Sequence, residues 1–333
     1  MARKRCVFGR FLLGYQGVTR FRVGGPLLCP PTSRYPQREC HVSLRTTFEN
    51  GSFALSFELF PPKTPESEAM LWQTVDELVG FEPALITCTY GAGGSTQAKT
   101  LEVLDGVRSR HPAVAVASHL TCVGSTVDQL RDYLRAADQR GISAIVALRG
   151  DPPQGEAAFT PVADGLRYAA ELVTLIRTEF PQFNILVAGY PETHQEAVSP
   201  EADLEFLKQK CAAGGDVVVT QLFYNNTDFF RFRDRCTAIG INTPLVPGLM
   251  PVTNFKQIQR IASLCKAKLP ETFTKAFEAA GDDPAAQFEA GVEYASRQAE
   301  ELIAGGVPGL HLYVLNKSPA AIRVLEQVGM TRS

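Results

Sequence analysis

Short apolar runs recur along this chain, and each ends abruptly in a polar or Gly/Pro-rich cluster before a stretch of helical periodicity. The runs predict strands over Ala54–Leu59, Ala84–Thr89, Val114–Ser118, Ala144–Leu148, Ile185–Ala188, Val217–Thr220, Leu245–Pro247 and Leu310–Val314. Strands that alternate with helices form a parallel sheet. Eight such units predict an α/β fold, a (β/α)8 TIM barrel, with its active site at the carboxyl ends of the strands.

Capping residues and apolar spacing predict the helices between these strands. Thr64, with Pro65 at the first helical position, marks one helix start, and Ser125 with Asp128 marks another. Further helices are predicted over 97–110, 164–180, 199–213 and 227–239, and from Asn254 and Ser318. Residues 271–305 predict one or two extra helices before the last strand.

Composition narrows the classes of function. The 333 residues carry a net charge of −2, which gives no electrostatic reason to expect nucleic acid or an anionic membrane as partner. No apolar run approaches the length of a transmembrane helix. The eight cysteines contain no C-x-x-C pair, which indicates reduced thiols and predicts a cytoplasmic protein.

The first 45 residues differ from the rest, because they hold nine Lys/Arg and one acid, Glu39. We predict that residues 1–48 form a basic extension, interpreted as a disordered tail or an upstream start. An organelle-targeting segment is the alternative interpretation. Residues 49–333 are predicted to form a single domain.

Glu58 is the sharpest candidate for chemistry. It follows Phe57 and precedes Leu59 at the end of the first predicted strand. Burial among apolar neighbours should raise the pKa of this carboxyl, which would suit a general acid. The plainer interpretation is a strand-end glutamate paired with a lysine or arginine.

Other strand ends carry groups suited to a flat, charged ligand. Arg149 could hold a phosphate and Asp151 could accept ring N–H bonds, while Gly150 between them lets a ligand approach the backbone. The plainer interpretation is an ordinary strand-to-loop turn that ends in an internal ion pair. Gln221 could bind the edge of a heterocycle. The Gly-rich loop at 91–96 resembles a phosphate loop only weakly, because it lacks a complete G-x-G-x-x-G.

The histidines leave a metal enzyme open as a competitor. His119, His194 and His311 fall at or near strand ends, but no H-x-H or H-E-x-x-H spacing is present, so no metal is predicted. On one helical face, Asp203 and Lys210 are by themselves most simply a helix-dipole acid and a solvated cation.

These motifs, in this order, resemble methylenetetrahydrofolate reductases over about residues 50 to 330. The matching strings are 56–64 (SFELFPPKT), 89–92 (TYGA), 119–122 (HLTC), 147–151 (ALRGD), 188–194 (AGYPETH), 220–221 (TQ), 247–255 (PGLMPVTNF) and 313–316 (YVLN). The resemblance implies a barrel that binds FAD non-covalently. It also implies ping-pong hydride transfer from NADH or NADPH to flavin, and then to 5,10-methylenetetrahydrofolate.

The resemblance also implies roles for individual residues. Glu58 would be the general acid that opens the folate ring, and Asp151 the acid beside flavin and pterin. Contacts to the cofactors fall on Thr89, Tyr90, Ala92, His119, Arg149, Gly150, Asp151, Tyr168, Ala169, Tyr190, His194, Ala197, Asp203 and Lys210. Contacts to folate fall on Asp151, Gln221, Gln257 and Lys317. This implication replaces the plainer interpretations of Asp203 and Lys210.

Three departures from the family pattern accompany the resemblance. Phe206 stands where bacterial relatives have a polar flavin contact, and Lys317 replaces a common arginine and its bidentate fork. The chain ends at Ser333, so no S-adenosylmethionine-responsive domain is expected. Relatives imply a homo-oligomer, and the choice between NADH and NADPH stays open.

Three other functions stay open from the residues alone. They are a different flavin barrel such as a proline-dehydrogenase-like oxidase, a metal-dependent hydrolase or aldolase, and a non-catalytic folate-binding protein.

Overall fold

Nine parallel strands pair side by side in the computed structural model, which describes residues 43–49, 53–90, 96–152 and 159–333. The strands are β1 Ala54–Leu59, β2 Leu85–Cys88, β3 Ala115–Thr121, β4 Ala144–Leu148, β5 Asn184–Gly189, β6 Val217–Thr220, β7 Leu245–Val246, β8 Gly248–Leu249 and β9 Gly309–Tyr313. Their order around the sheet is β7-β6-β5-β4-β3-β2-β1-β9-β8. The predicted barrel class is confirmed.

The seventh strand, predicted over Leu245–Pro247, ends at Val246 as β7, and a second short strand, β8, follows Pro247. β7 pairs with β6 and β8 pairs with β9, so the ring is closed across this one proline. Proline has no N–H to donate to a ladder, which accounts for the interruption. A Cβ added at Gly248 would lie 2.3 Å from the Thr220 carbonyl oxygen, so the close approach at this junction requires glycine.

Helices follow the strands as predicted, and two extra ones precede β9. They are α1 Leu44–Glu49, α2 Pro65–Val79, α3 Gln97–Arg110, α4 Val127–Gln139, α5 Ala169–Glu179, α6 Pro200–Ala212, α7 Asn226–Ala238, α8 Phe255–Cys265, α9 Glu271–Ala280, α10 Pro284–Ala304 and α11 Pro319–Gln327. Thr64 caps α2 as predicted, with its hydroxyl accepting from the Ser67 N–H.

Several predicted boundaries are wrong by a few residues. The cap of α4 is Thr126 with Gln129, one residue beyond the predicted Ser125–Asp128 pair. The helix predicted to start at residue 164 begins at Ala169, after Gly165 has formed a bridge to Thr126. β3 continues past Ser118 to Thr121, because the polar residues His119 and Thr121 still pair with β4.

The inside of the barrel changes character along its axis. Side chains on alternate strand positions face inward. Near the amino ends of the strands they are apolar, as at Ala54, Leu85 and Ala117. Further along they are polar or charged: Ser56, Glu58, Thr87, His119 and His311. The strands' other faces pack against the helices in a separate, larger apolar core.

Helix α1 packs against the apolar end of the barrel. Leu44 and Phe48 are buried with the inward residues of the strands, and the Leu44 N–H donates to Asn184 Oδ1 at 2.9 Å. The described fold therefore begins before residue 49, where the domain was predicted to start. None of the described helices has the length and apolar character needed to cross a membrane.

Candidate active site

A cavity of about 340 Å³ opens among the carboxyl ends of the strands. Parallel strand register carries distant residues to the same level, because Glu58 pairs with Thr87 on β2 and with Tyr313 on β9. The predicted site residues that line this cavity are Glu58, His119, Arg149, Gly150, Asp151, Tyr190, His194 and Gln221. Residues separated by more than 160 positions thus meet in a single mouth, while their chemical roles remain predictions.

Glu58 lies between two histidines on neighbouring strands. Its Oε2 is 3.2 Å from Nε2 of His119 and 3.5 Å from Nε2 of His311. The ring of His311 is held in turn by a 2.9 Å contact between its Nδ1 and the Ser56 hydroxyl. All of these side chains are almost fully buried, so the contacts operate with little screening by water.

The predicted rise in the pKa of Glu58 is wrong. Burial by itself does raise this pKa, but the charges of His119 and His311 and their hydrogen bonds outweigh burial and lower it to about 2. The sequence prediction assumed an apolar pocket and missed the two histidines that face the carboxylate. Glu58 is therefore ionised at neutral pH in this structure.

Arg149, directly after β4, places a positive charge in the cavity lining. Arg149 makes a bidentate ion pair with Glu196, with nitrogen–oxygen distances of 2.5 and 2.9 Å. Its Nε donates to the Gly150 carbonyl at 3.1 Å. The guanidinium fork predicted to hold phosphate is thus occupied by a carboxylate. Asp151 next to it is exposed, and its charge faces the cavity opening.

The segment after β5 forms another wall. Tyr190 and His194 contact each other edge to face, with ring centroids 4.6 Å apart. The His194 N–H donates to Asp203 Oδ2 at 2.9 Å, which ties this wall to the first turn of α6. Burial raises the pKa of Asp203, whereas it lowers the pKa of His194 together with the charge of Arg149. Thr193, which lies between Tyr190 and His194 in the chain, adopts φ 77°, a backbone conformation that is unfavourable for non-glycine residues.

Lys210 is a cation held on this same wall but behind the cavity. Its Nζ donates to the Ala188 carbonyl at 2.5 Å and lies 5.8 Å from the centre of the Tyr190 ring. Burial lowers the pKa of Lys210 to about 8, although the charge of Asp203 partly opposes this. The interpretation of Lys210 as a fully solvated cation is therefore wrong.

Several predicted cofactor residues lie outside the cavity lining. Tyr90 turns its hydroxyl to Thr121, and the Thr89 carbonyl accepts the Thr100 hydroxyl. The others lie on α5, on α6 or on the segments that precede these helices: Tyr168, Ala169, Ala197, Asp203 and Lys210. Ala92, and the rest of the Gly-rich loop up to residue 95, lies outside the described residues.

A second cavity of about 290 Å³ adjoins the first, and Tyr313 lines both. Gln257 and Lys317, the two predicted folate contacts that are absent from the first cavity, line this second one. Its remaining walls are largely apolar and include Phe288 and Leu315. The predicted folate residues therefore divide between two cavities that share Tyr313 as a wall.

Asn316 fixes the loops beside both cavities. Its Oδ1 accepts the Phe60 N–H at 2.9 Å, and its Nδ2 donates to the Phe60 carbonyl at 2.8 Å. The loop after β9 is thereby joined to the loop that follows Glu58. Leu315 and Asn316 have φ values of 49° and 55°, so this connection holds two consecutive non-glycine residues in the left-handed region.

Sequence reasoning missed some cavity residues. Thr87 is buried in the cavity wall, and its Oγ1 has no hydrogen-bond partner among the described residues. His311 was considered only as a possible metal ligand, yet it contacts Glu58. Period-two alternation from the strand ends could have indicated both, because Thr87 and His311 lie two residues before Thr89 and Tyr313. Within the described ranges, no three His, Cys, Asp or Glu side chains are arranged to hold a metal ion.

Comparisons with known proteins identify the family to which the chain belongs. Residues 43–329 match the family profile described as methylenetetrahydrofolate reductase. "Methylenetetrahydrofolate reductase (NADH) 1" of Arabidopsis thaliana is 38% identical over 297 residues, which cover 86% of this chain and 50% of the relative. "5,10-methylenetetrahydrofolate reductase" of Escherichia coli (strain K12) is 37% identical over 280 residues, which cover 84% and 92% respectively. The chain thus spans about half the length of the plant relative.

The barrel is also found among solved structures. A protein described as an uncharacterized protein from Clostridium thermocellum that binds two copies of 5-methyl-5,6,7,8-tetrahydrofolic acid superposes with a TM-score of 0.57. It is 12% identical, and the match covers 86% of this chain and 98% of that one. At this identity the likeness supports the fold alone.

Proposed function

Because the chain belongs to the methylenetetrahydrofolate reductase family, we propose that it reduces 5,10-methylenetetrahydrofolate to 5-methyltetrahydrofolate. Electrons come from NADH or NADPH and pass through non-covalently bound FAD in a ping-pong sequence. The product supplies methyl groups for methionine synthesis. The relatives named for NADH make NADH the first donor to test.

One observation carries the proposal: a buried carboxylate with two imidazoles lines the same cavity as polar groups that could bind the edge of a flat ring. Glu58, His119 and His311 form the buried group, while Asp151 and Gln221 offer acceptors and an amide to the cavity. A pterin ring presents a flat row of donors and acceptors that matches these groups. The cavity therefore contains both the groups for proton transfer and the groups that would bind the reacting ring.

The described residues fit FAD. The buried Thr87 hydroxyl lacks a partner in the cavity wall, which is costly unless a ligand satisfies it. Arg149, which lines the cavity, and Lys210, held behind the cavity wall by the Ala188 carbonyl, would provide positive charge for a pyrophosphate. His119, Tyr190 and His194 would hold the ring end, and Asp203 the far end. When bound, FAD accepts hydride from the nicotinamide and passes it to the folate carbon.

The protein's own task is to open the folate's five-membered ring. Opening releases a nitrogen that must gain a proton and leaves a positively charged iminium. The pKa of Glu58 is lowered to about 2, so we assign proton delivery to the unit that Glu58 forms with Nε2 of His119 and Nε2 of His311, with the carboxylate as its outlet to the folate nitrogen. The same carboxylate balances the iminium charge in a site with little water.

The experiment measures the two half-reactions separately in Glu58→Gln. The variant should bind FAD, and NADH should reduce that FAD at close to the wild-type rate. Folate reduction should fall by about 100- to 10,000-fold, the usual contribution of a positioned acid. Glu102→Gln is the control, because Glu102 is an exposed acid on α3.

One result would contradict the reductase assignment, and a second would contradict only the role of Glu58. Purified protein without flavin absorbance, and unable to take up FAD, would remove the reductase assignment altogether. A Glu58→Gln variant that retains both half-reactions would leave the assignment standing but remove Glu58 from the proton path. The homo-oligomer and the cytoplasmic location remain predictions, which light scattering and cell fractionation would test.

A further inference from the structure

One carboxylate ties together two walls of the first cavity. Glu192, in the segment after β5, accepts the Lys268 N–H with both of its oxygens, at 2.9 and 3.3 Å. Lys268 lies between α8 and α9, and it is 76 residues away from Glu192 in the chain. We call this contact the clasp. It joins the wall that contains Tyr190 and His194 to the end of α8.

The neighbours of the clasp line the cavity, although the two clasp residues do not. On one side these neighbours are Thr193 and His194, and on the other side they are Leu264 and Cys265 at the end of α8. The start of α8 reaches the second cavity through Gln257. The clasp therefore sets where α8 stands relative to both cavities.

Leu264 shows what the position of α8 offers to a ligand. Its side chain is 70% exposed although it lines the cavity. A leucine left in water contributes little to the core, and it gains free energy only when something apolar covers it. Burial of this side chain therefore does not hold the end of α8 at the opening, whereas the clasp can.

Non-glycine residues in unfavourable backbone conformations flank the clasp on both sides. Thr193, directly after Glu192, has φ 77°, and Lys266, two residues before Lys268, has φ 57°. Residues keep such conformations only where surrounding contacts hold them. Opening the clasp would let both segments relax, so the closed arrangement depends on the bond between them.

The environment of Glu192 keeps the clasp weak enough to open. Burial raises the pKa of Glu192, and the charge of Asp228 on α7 raises it further, whereas the N–H and the charge of Lys268 lower it. The surroundings therefore disfavour the charge that the clasp uses. The net stabilisation from this bond is small compared with that of a fully compensated carboxylate.

We propose that Glu192 is a positioning residue: its clasp holds α8 at the first cavity when closed, and it opens when a substrate enters or leaves. The inference rests on the proposed function for the identity of the substrates, which are the nicotinamide and the folate. It goes beyond that function because it assigns control of access to a residue outside the cavity lining. Since FAD stays in place in a ping-pong sequence, the clasp should affect the substrates and not FAD.

Trypsin provides a direct assay of opening, because it cleaves after Lys266 and Lys268, which are exposed in the segment between α8 and α9. Cleavage requires local opening, and its rate follows the population of the open form. In Glu192→Ala, cleavage at these two lysines should be about 5- to 30-fold faster than in the wild-type protein, as the loss of a hydrogen bond to a charged group predicts. Glu192→Gln keeps an oxygen acceptor and should be cleaved more slowly than the alanine variant.

Two controls separate the clasp from general effects. Glu278→Ala removes an exposed acid from α9 and should be cleaved like the wild-type protein. Lys268→Ala removes one cleavage site but keeps the N–H that forms the clasp, so cleavage after Lys266 should not change. Cleavage at lysines and arginines elsewhere should be equal in all variants.

Steady-state kinetics test the positioning role. In Glu192→Ala, the KM values for NADH and for folate should each rise by about 3- to 10-fold, while kcat and the Kd for FAD stay within about 2-fold. Lys268→Ala should have wild-type KM values, because the clasp uses the backbone of Lys268.

Three results would overturn the inference. Equal cleavage after Lys266 in Glu192→Ala and in the wild-type protein would show that the clasp does not restrain α8. Faster cleavage throughout the chain would show that Glu192 stabilises the whole fold. Faster local cleavage with unchanged KM values would leave the clasp with no role in substrate access. If the wild-type protein lacks FAD and does not reduce folate, the proposed function fails, and the cleavage pattern still decides whether the clasp holds α8.

Discussion

Gly291 on α10 offers a test in which local preference and tertiary packing oppose each other. In a helix interior, Gly→Ala normally stabilises a protein by about 0.5–1 kcal/mol. Here the added Cβ would lie 1.6 Å from the Val252 carbonyl oxygen and 3.3 Å from Cζ of Phe277. The helix backbone therefore packs directly against the loop that follows β8.

The magnitude follows from that distance. A carbon–oxygen contact needs roughly 3.3 Å, so α10 and the loop must separate by about 1.7 Å in Gly291→Ala. Overpacking of this kind costs about 1–3 kcal/mol and sometimes more. Because the overlap is severe, we take the upper end of that range, about 3 kcal/mol, and subtract a helix-propensity gain of about 0.5–1 kcal/mol, which leaves a net loss of about 2 kcal/mol in the free energy of unfolding. The melting temperature should fall by at least about 2 °C.

The same displacement should reach the second cavity, because Pro251 and Thr253 flank Val252 and line it. The KM for folate should therefore rise more than the KM for NADH. The assays are thermal unfolding followed by circular dichroism, and steady-state kinetics with each substrate varied.

Gly80→Ala is the matched control. Gly80 ends α2 with helical φ −56° and ψ −19°, and its added Cβ would meet its nearest atoms at 3.5 Å. This variant should unfold at or above the wild-type temperature. Wild-type stability in Gly291→Ala, or equal losses in both variants, would refute the argument from packing.

Three further predictions concern the mouth. The pKa of Glu58 is lowered from 4.5 to about 2, so its ionised form stabilises the fold above pH 4.5, and this stabilisation is lost as the pH falls towards 2. Between pH 6 and pH 3, urea unfolding should show a decrease of about 2 kcal/mol in the free energy of unfolding that is absent in Glu58→Gln. Asn316→Ala removes two hydrogen bonds to Phe60 and should cost about 2–3 kcal/mol, with a lower kcat; wild-type stability would contradict it. Glu196→Gln releases Arg149 and should tighten FAD binding by about 2- to 5-fold at low salt; weaker binding would show that Glu196 supports the cation instead of competing for it.

The strands were predictable because their pattern is local. Apolar runs of four to six residues with Gly/Pro-rich ends identified β1, β4 and β6 to the residue. The end of β3 was missed because its last residues are polar, and only pairing with β4 keeps them extended. Pro247 was visible in the sequence, but the sequence did not show that the strands on its two sides pair with different neighbours, β7 with β6 and β8 with β9.

The candidate site was predictable as a set of strand ends but not as an electrostatic unit. Which residue types fall at each carboxyl end can be read directly from the chain. The partners of those residues cannot, because His119 and His311 reach Glu58 from positions 61 and 253 residues away. For the same reason, an ion pair at Arg149 could be considered from the sequence, but the identity of its partner, Glu196, could not be predicted.

The sequence alone determined the alternation of strands and helices, and hence a barrel with its polar groups at one end, because periodicity and capping act between near neighbours. Only the tertiary structure decided the charge of Glu58, the confinement of Lys210 and the need for glycine at position 291. Each of these depends on the distance between atoms that the chain brings together from remote positions, and Coulomb energy and steric repulsion are set by that distance.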